Sequence, residues 1–350
     1  MSIRSAETLS SSFYTSDKQW AKTIEGITAN SWQFLGHESQ HFADNKQANV
    51  SRLDSSLLLT KSNNRISLLP NVCTHRASQL LANTSNADKI VCPYHGRRFN
   101  LEGKLEFMPG FSKTENFPRA CDHLKQLPLE NWDGLLWGNL NGESPMNRDI
   151  EFIKERIGHL PLQDLKYLPQ YSKRYTLNAH WALYVDNYLE GFHIPFVHPD
   201  LNQVLNYGDY QTLCQGDVVL QIGYTDKESV SFSLPAGHVD AGKHVAAYYY
   251  WVWPNTMLNF YPWGLSMNVL LPIDKNYTVI DFYTYVLDEK LYIELNGFDG
   301  IDKTEQEDEY IVEQVQKGME SGFYTTGRYS PDHEQGVYHF HQLIKQRLLV

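Results

Sequence analysis

Cysteine and histidine recur together in one short stretch of this chain. Cys73-Thr74-His75 is followed, after sixteen residues, by Cys92-Pro93-Tyr94-His95-Gly96, so each segment offers one thiolate and one imidazole. These are the side chains that hold soft and borderline metals. A Cys2His2 zinc finger groups its cysteines together and its histidines together, whereas here the order alternates as C-x-H and C-x-x-H. That order suits two metal ions sharing a cluster, both thiolates on one iron and both imidazoles on the other. Neutral histidines in place of two anionic thiolates raise the reduction potential, so such a cluster accepts electrons and passes them on. Structural zinc and a chance meeting in loops are the competing readings. Cys121 and Cys214 have no such neighbours and read as small buried residues.

A second constellation lies in WALYVDNYLEGFHIPFVH, which carries Glu190, His193 and His198. On a helical wheel Asp186, Glu190 and His193 share the face opposite a stripe of Trp181, Val185, Tyr188 and Phe192. Two histidines with a nearby carboxylate fit zinc or iron equally, and a solvent face explains each residue taken singly. A third ligand has to come from elsewhere. In TEQEDEYIVEQVQKGM, Ile311, Val312, Val315 and Met319 form one stripe with Asp308 at its centre, while Glu307 and Glu309 fall outside. A buried carboxylate requires a partner. A metal in a two-histidine, one-carboxylate facial triad is one such partner; a position in the fraying first turn, where the acid faces the helix N-terminus, is the other reading.

The elements that must position these residues fall into two regions. Between Trp32 and Leu140 short apolar runs such as SSLLLT, RISLLP, KIVCPYHG and GLLWGNLNGE alternate with turn residues, predicting a small all-β unit. The charged stretch from Arg148 to Leu168, interrupted by Pro161, reads as a connector and puts a boundary near residue 150. A helix is predicted from Thr176 to Phe192, ended by Pro195. DVVLQIGY, SVSFSLPA, VAAYYYWVWP, TMLNFYPW, SMNVLLPI and YTVIDFYTYVL then predict an antiparallel sheet, and helices over Thr304 to Glu320 and Gly336 to Leu349 follow. The second region is therefore α+β, a sheet with helices on one side.

Composition removes several function classes. The 350 residues hold 30 Lys plus Arg against 41 Asp plus Glu, a formal charge of −11 that repels phosphate backbones and disfavours nucleic acid. Hydrophobic residues make up 42%, enough for a real core. MSIRSAETLSSSFYTSDKQW has no apolar h-region and no stretch approaches the ~20 apolar residues that span a bilayer. The expectation is a cytoplasmic protein without membrane contact, where paired Cys and His mean metal rather than disulfide. No G-x-G-x-x-G opens a helix after a strand, so the chain carries no dinucleotide fingerprint of its own.

Taken together, a C-x-H, C-x-x-H pair followed about a hundred residues later by carboxylate-x-x-His-x4-His resembles the oxygenase (alpha) component of the Rieske non-haem iron oxygenases, along nearly the whole chain. The departures are Ala77, where many members have Gly, and Arg97 after His95-Gly96, where Trp is common. The resemblance implies an N-terminal helical segment (1–30) packing on the catalytic domain, an all-β Rieske domain (31–150) and a helix-grip-like catalytic domain (151–350). It implies a [2Fe–2S] cluster on Cys73, His75, Cys92 and His95, and mononuclear non-haem Fe(II) on His193, His198 and Asp308. Glu190 would bridge electron flow from the cluster of a neighbouring subunit to the iron, in a homotrimer, with Asn187 beside it. Electrons would come from a flavin or ferredoxin type reductase, and O2 would hydroxylate a small substrate. Glu at the bridging position and the ED-x4-E-x-VQ helix resemble the choline, betaine and carnitine group, so a quaternary ammonium or N-methyl amine is expected. An aromatic ring or aromatic acid is the alternative substrate, and a non-catalytic electron carrier the second alternative. The aromatic strands offer Tyr250, Trp251, Trp253, Tyr261 and Trp263 as a cation–π pocket.

Overall fold

The apolar runs of the first region form hairpins whose turns supply the backbone conformations they need. Ser55–Ser62 pairs antiparallel with Arg65–Pro70, and the two residues between them, Asn63 and Asn64, both take positive φ (47° and 63°), the two-residue turn that matches strand twist. In this computed structural model, residues 2–52, 55–140, 146–203 and 207–348 are described. The chain divides into two compact units, Asn30–Pro145 and Met1–Ala29 with Met146–Val350.

The Asn30–Pro145 unit is all β. Three small antiparallel sheets build it: Trp32–His37 with Leu135–Asn139 and Leu129–Trp132; Arg65–Pro70, Ser55–Ser62, Gln47–Arg52 and Thr84–Ser85; and Ile90–Val91, Arg98–Phe99 and Leu105–Phe107. Cys73 and Cys92 belong to one of its apolar cores, with Leu58, Leu69, Leu80, Ile90 and Phe99. The other two cysteines depart from expectation. Cys121 and Cys214 are exposed, Cys121 in a single 3-10 turn and Cys214 on the edge strand Gln211–Gln215, its Sγ 3.7 Å from Gln335 O at the start of the last helix.

The second unit is organised by an eight-stranded antiparallel sheet. Its order runs Lys166–Tyr167, Tyr277–Val286, Gly264–Asp274, Thr256–Tyr261, Val245–Val252, Val218–Tyr224 and Gln211–Gln215, with Lys173–Leu177 also pairing along Tyr277–Val286. SVSFSLPA does not join it; only Phe232 N–H reaches the sheet, at Val245 O. Against one face lie the helices Trp181–Tyr188, Gly297–Glu320 and Gln335–Arg347. Tyr250 points to the opposite face and reaches Phe152 and Ile153 of helix Asn147–Ile157. That helix occupies the stretch expected to be a connector, because Ile150, Phe152, Ile153 and Ile157 give it a buried stripe. The N-terminal residues return to this unit: Thr8 and Ser11 donate to Gly327 O and Thr325 O, and Tyr14 donates to Asp186 Oδ2 at 2.7 Å.

Three helix boundaries differ from those the sequence predicts. Thr176 and Leu177 are drawn into the sheet edge opposite Val279 and Thr278, so the first site helix begins only at Trp181, capped by His180 Nδ1. It ends at Tyr188. Glu190 therefore sits in a turn, and Pro195 opens a one-turn helix, Ile194–Val197, instead of closing a long one. The helix carrying Asp308 starts at Gly297, three turns before it, which removes the fraying-end reading. The last helix runs Gln335–Arg347, and Leu349 lies outside the described residues. Among the described residues no helix is long and apolar enough to cross a membrane.

Candidate metal centres and the cavity between sheet and helices

The two Cys-His loops are built alike. Cys73 O accepts from Ala77 N at 3.0 Å and Cys92 O from Gly96 N at 3.1 Å, and each donor residue has positive φ, 55° at Ala77 and 69° at Gly96. Ala77 thus holds with an alanine the left-handed conformation that its counterpart holds with a glycine. Both cysteines are buried, while the His75 and His95 rings face each other at 4.9 Å, nearer the surface. Burial opposes ionisation of Cys92, yet the Tyr94 N–H, the neighbouring Cys73 thiol, the His95 N–H and the Ser78 hydroxyl hold its thiol below the ordinary range, while Cys73 is pushed up by burial and by Cys92. His75 Nδ1 is shielded from water without a hydrogen-bond partner, an arrangement that fits a nitrogen reserved for a metal. Two converging thiols, backed by backbone donors, and two adjacent imidazoles match the donor set of a [2Fe–2S] cluster.

In the second unit His193, His198 and Asp308 converge, with one ligand atom from each lying within 4.8 Å of the others. His198 Nε2 stands 3.1 Å from His193 Nε2 and 3.0 Å from Asp308 Oδ1, and His193 Nε2 stands 3.5 Å from the same oxygen. Ligands ~2.1 Å from one ion at right angles lie about 3.0 Å apart. Each ligand is steadied from behind. His193 Nδ1 donates to Glu190 Oε1 at 2.8 Å while the His193 backbone N–H donates to Glu190 Oε2 at 3.0 Å. His198 Nδ1 donates to Glu307 Oε2 at 2.8 Å, and Asn187 Nδ2 donates to Asp308 Oδ1 at 2.6 Å. Carboxylates only accept, so each ring donates from Nδ1 and turns Nε2 inward, the orientation a metal requires.

The centre opens on a cavity of about 390 Å³ between the sheet and the Trp181–Tyr188 and Gly297–Glu320 helices. Its floor is a sheet face on which Tyr249, Asn259 and Ser266 stand opposite one another across three strands. Asn259 and Asn268 are buried, and buried amides need partners. They find them in a chain: Tyr188 donates to Asn259 Oδ1 (2.7 Å), Asn259 Nδ2 to Asn268 Oδ1 (2.8 Å), Asn268 Nδ2 to Tyr184 (2.8 Å), and Tyr184 to Glu305 Oε2 (2.6 Å). This chain ends on the Glu305 carboxyl, which burial pushes well above its ordinary range. Around the cavity Glu190, Asp200, Glu307 and Asp308 face a single lysine, Lys303, which pairs with Asp200.

Of the aromatic residues expected here, Tyr261 and Trp263 line the cavity, stacked at 4.9 Å. Tyr250, Trp251 and Trp253 lie elsewhere. Tyr250 is on the opposite face, whereas Trp251 and Trp253 pack against Phe340 of the last helix. The cavity takes Tyr188, Tyr210 and Tyr249 in their stead. Sequence reasoning also passed over Glu307, Glu305, Asn259 and Asn268. The signal available for the two amides was a polar residue interrupting an apolar strand, in TMLNFY and SMNVLL.

Comparison with known proteins adds independent findings. Residues 31–118 match the Rieske [2Fe–2S] domain, and residues 164–349 match the ring hydroxylating alpha subunit (catalytic domain). The carnitine monooxygenase oxygenase subunit of Escherichia coli (strain K12) is 29% identical over 360 residues, covering 97% of this chain and 94% of that protein. Choline monooxygenase, chloroplastic, of Spinacia oleracea is 28% identical over 358 residues, covering 98% and 79%. Among solved structures, a quaternary ammonium Rieske monooxygenase in complex with L-carnitine superposes with a TM-score of 0.81 at 23% identity, covering 99% of this chain and 97% of that one. A naphthalene 1,2-dioxygenase with indole bound reaches a TM-score of 0.75 at 18% identity, covering 100% and 95%.

Proposed function

Because the chain belongs to the ring hydroxylating alpha subunit family, the oxygenase components of the Rieske non-haem iron oxygenases, we propose that it hydroxylates a small quaternary ammonium or N-methyl amine. It is an O2-dependent oxidoreductase with a [2Fe–2S] domain and a mononuclear His/His/Asp metal site. One observation carries the substrate class: Tyr188, Tyr249, Tyr261 and Trp263 line one cavity beside the candidate iron site, aromatic surface of the kind that attracts a methylated ammonium. The carnitine and choline monooxygenases among its relatives support the same reading.

In this reading Cys73, His75, Cys92 and His95 hold the cluster, and His193, His198 and Asp308 hold ferrous iron. The bound iron supplies the centre at which O2 is reduced. Glu190 and Glu307 fix the two imidazoles, and Asn187 fixes the Asp308 carboxylate. Tyr188, Tyr249, Tyr261 and Trp263 receive the cation and keep water from its methyl groups. Hydroxylation of a carbon next to nitrogen gives a hemiaminal that breaks to an amine and an aldehyde. Electrons arrive from a separate reductase of flavin or ferredoxin type. Chains assemble as a homotrimer in which Glu190 bridges one chain's cluster to its neighbour's iron.

The test is a substrate panel followed by NADH oxidation and aldehyde release with a coupled reductase. Methylated amines are expected to turn over. Coupled turnover of aromatic acids without response to any methylated amine overturns the reading. Glu190→Gln, assayed after saturation with iron, is expected to slow turnover severely; near-normal coupled activity in the iron-replete variant removes the bridge.

A further inference from the structure

Arg97 is the residue of the cluster-bearing unit least expected where it stands. It follows the second Cys-His loop directly, and Cys92 N–H donates to its carbonyl at 2.8 Å. Its guanidinium is buried, with the side chain 1% exposed, above the rings of Phe117 (5.5 Å) and Phe99 (5.9 Å). One nitrogen donates to Asp122 Oδ1 at 2.8 Å, and Nε has no hydrogen-bond partner. Asp122 reaches the first Cys-His loop in turn, because its carbonyl accepts from Thr74 Oγ1, between Cys73 and His75. Arg97 is thus tied to both loops, to the second through its own backbone and to the first through Asp122, and arginine does not lose its proton in proteins. Asp122 balances it unevenly. The carboxylate side chain is 14% exposed and lies where water screens it, whereas the guanidinium does not.

We propose that Arg97 is a positioning charge that raises the reduction potential of the cluster, with Asp122 moderating it. Reduction adds an electron, and a fixed buried cation beside the loops favours the reduced form. The inference rests on the reading that Cys73, His75, Cys92 and His95 hold the cluster.

The experiment is a redox titration of the cluster in the iron-loaded full chain, followed by its electron paramagnetic resonance signal. Arg97→Met, which keeps bulk and removes charge, is expected to shift the reduction equilibrium at least tenfold toward the oxidised form, about 59 mV for one electron. Asp122→Asn removes the negative charge and keeps one of the two acceptor oxygens that serve Arg97 and the Arg119 N–H, and is expected to shift it the other way. Arg97→Lys retains the charge and is expected to stay near wild type. A residue needed only for packing would not give opposite signs. Equal potentials, or shifts of one sign in Arg97→Met and Asp122→Asn, overturn the proposal while leaving the cluster ligands standing. If Arg97→Met does not fold or load, the comparison of Asp122→Asn with Arg97→Lys and wild type decides it, and an unmoved potential in Asp122→Asn overturns it. Absence of the signal in wild type overturns the ligand assignment and this inference together.

Discussion

The two candidate metal sites of this chain are held by opposite strategies. At Cys73, His75, Cys92 and His95 the backbone does the holding: two loops of the same design turn their N–H groups toward the thiols, and the imidazoles have no carboxylate behind them among the described residues. At His193, His198 and Asp308 side chains do it. Glu190, Glu307 and Asn187 each fix one ligand, and the ligands come from the two residues that flank a one-turn helix and from the middle of a long helix. A site made by backbone keeps its geometry through single side-chain changes outside its ligands but is sensitive to φ; a site made by side chains is the reverse.

The strongest break of this comparison is ligand removal. Asp308→Ala is expected to drop the iron content from about three to about two per chain, with the cluster spectrum intact, whereas Cys92→Ser should remove the cluster and leave the mononuclear iron. Loss of both metals in either variant would show that the sites are not independent. Glu307→Gln removes the charge behind His198 and should weaken iron binding there about 10–100-fold, read by retention against a chelator. Unchanged retention would mean that the side-chain support is not what holds His198.

The backbone half of the comparison is sharpened by Ala77→Gly, which relieves a left-handed alanine and should stabilise the cluster unit by ~1 kcal/mol, measured as a rise in its unfolding midpoint. The smallest effect expected is in the other unit. Burial, with Asp217 nearby, pushes the Asp149 carboxyl up to about 6. A carboxyl raised on folding contributes stability that is complete below its unfolded value of about 4 and lost as pH rises through 6. Asp149→Asn should therefore match wild type near pH 4 and exceed it above pH 6 by about 2–4 °C in Tm, the partial exposure of the group keeping the gain small. A variant no more stable at pH 8 than wild type would refute that sign.

The same contrast explains what the amino-acid order made legible. The cluster loops are contiguous, so type and spacing alone brought their four ligands out. The triad joins positions separated by 110 residues between His198 and Asp308, and its helix misleads. Its buried stripe is Glu305, Val312 and Gln316, with Asp308 half-buried between them, while Val315 is exposed; polar residues occupy a core position and an apolar one faces out. Asp308 lay at the centre of either stripe, but Glu305 and Glu307 were concealed. The aromatic strands failed differently. Alternation places Tyr249, Trp251 and Trp253 on one face, yet only the helices packed above decide which of them looks into a cavity.

The N-terminal tie to the catalytic unit also bears on how the protein is made. Tyr14 hydroxyl meets both Asp186 and His341 Nε2, the latter 327 residues further along. At ~5–20 residues per second a ribosome needs about 16–65 s to supply that partner. Throughout that interval Phe13 and Tyr14, both buried in the finished fold, have at most part of their packing surface, the side supplied by His180 and Asp186. The first helix is therefore synthesised well before the last of its partners, and its docking is completed late.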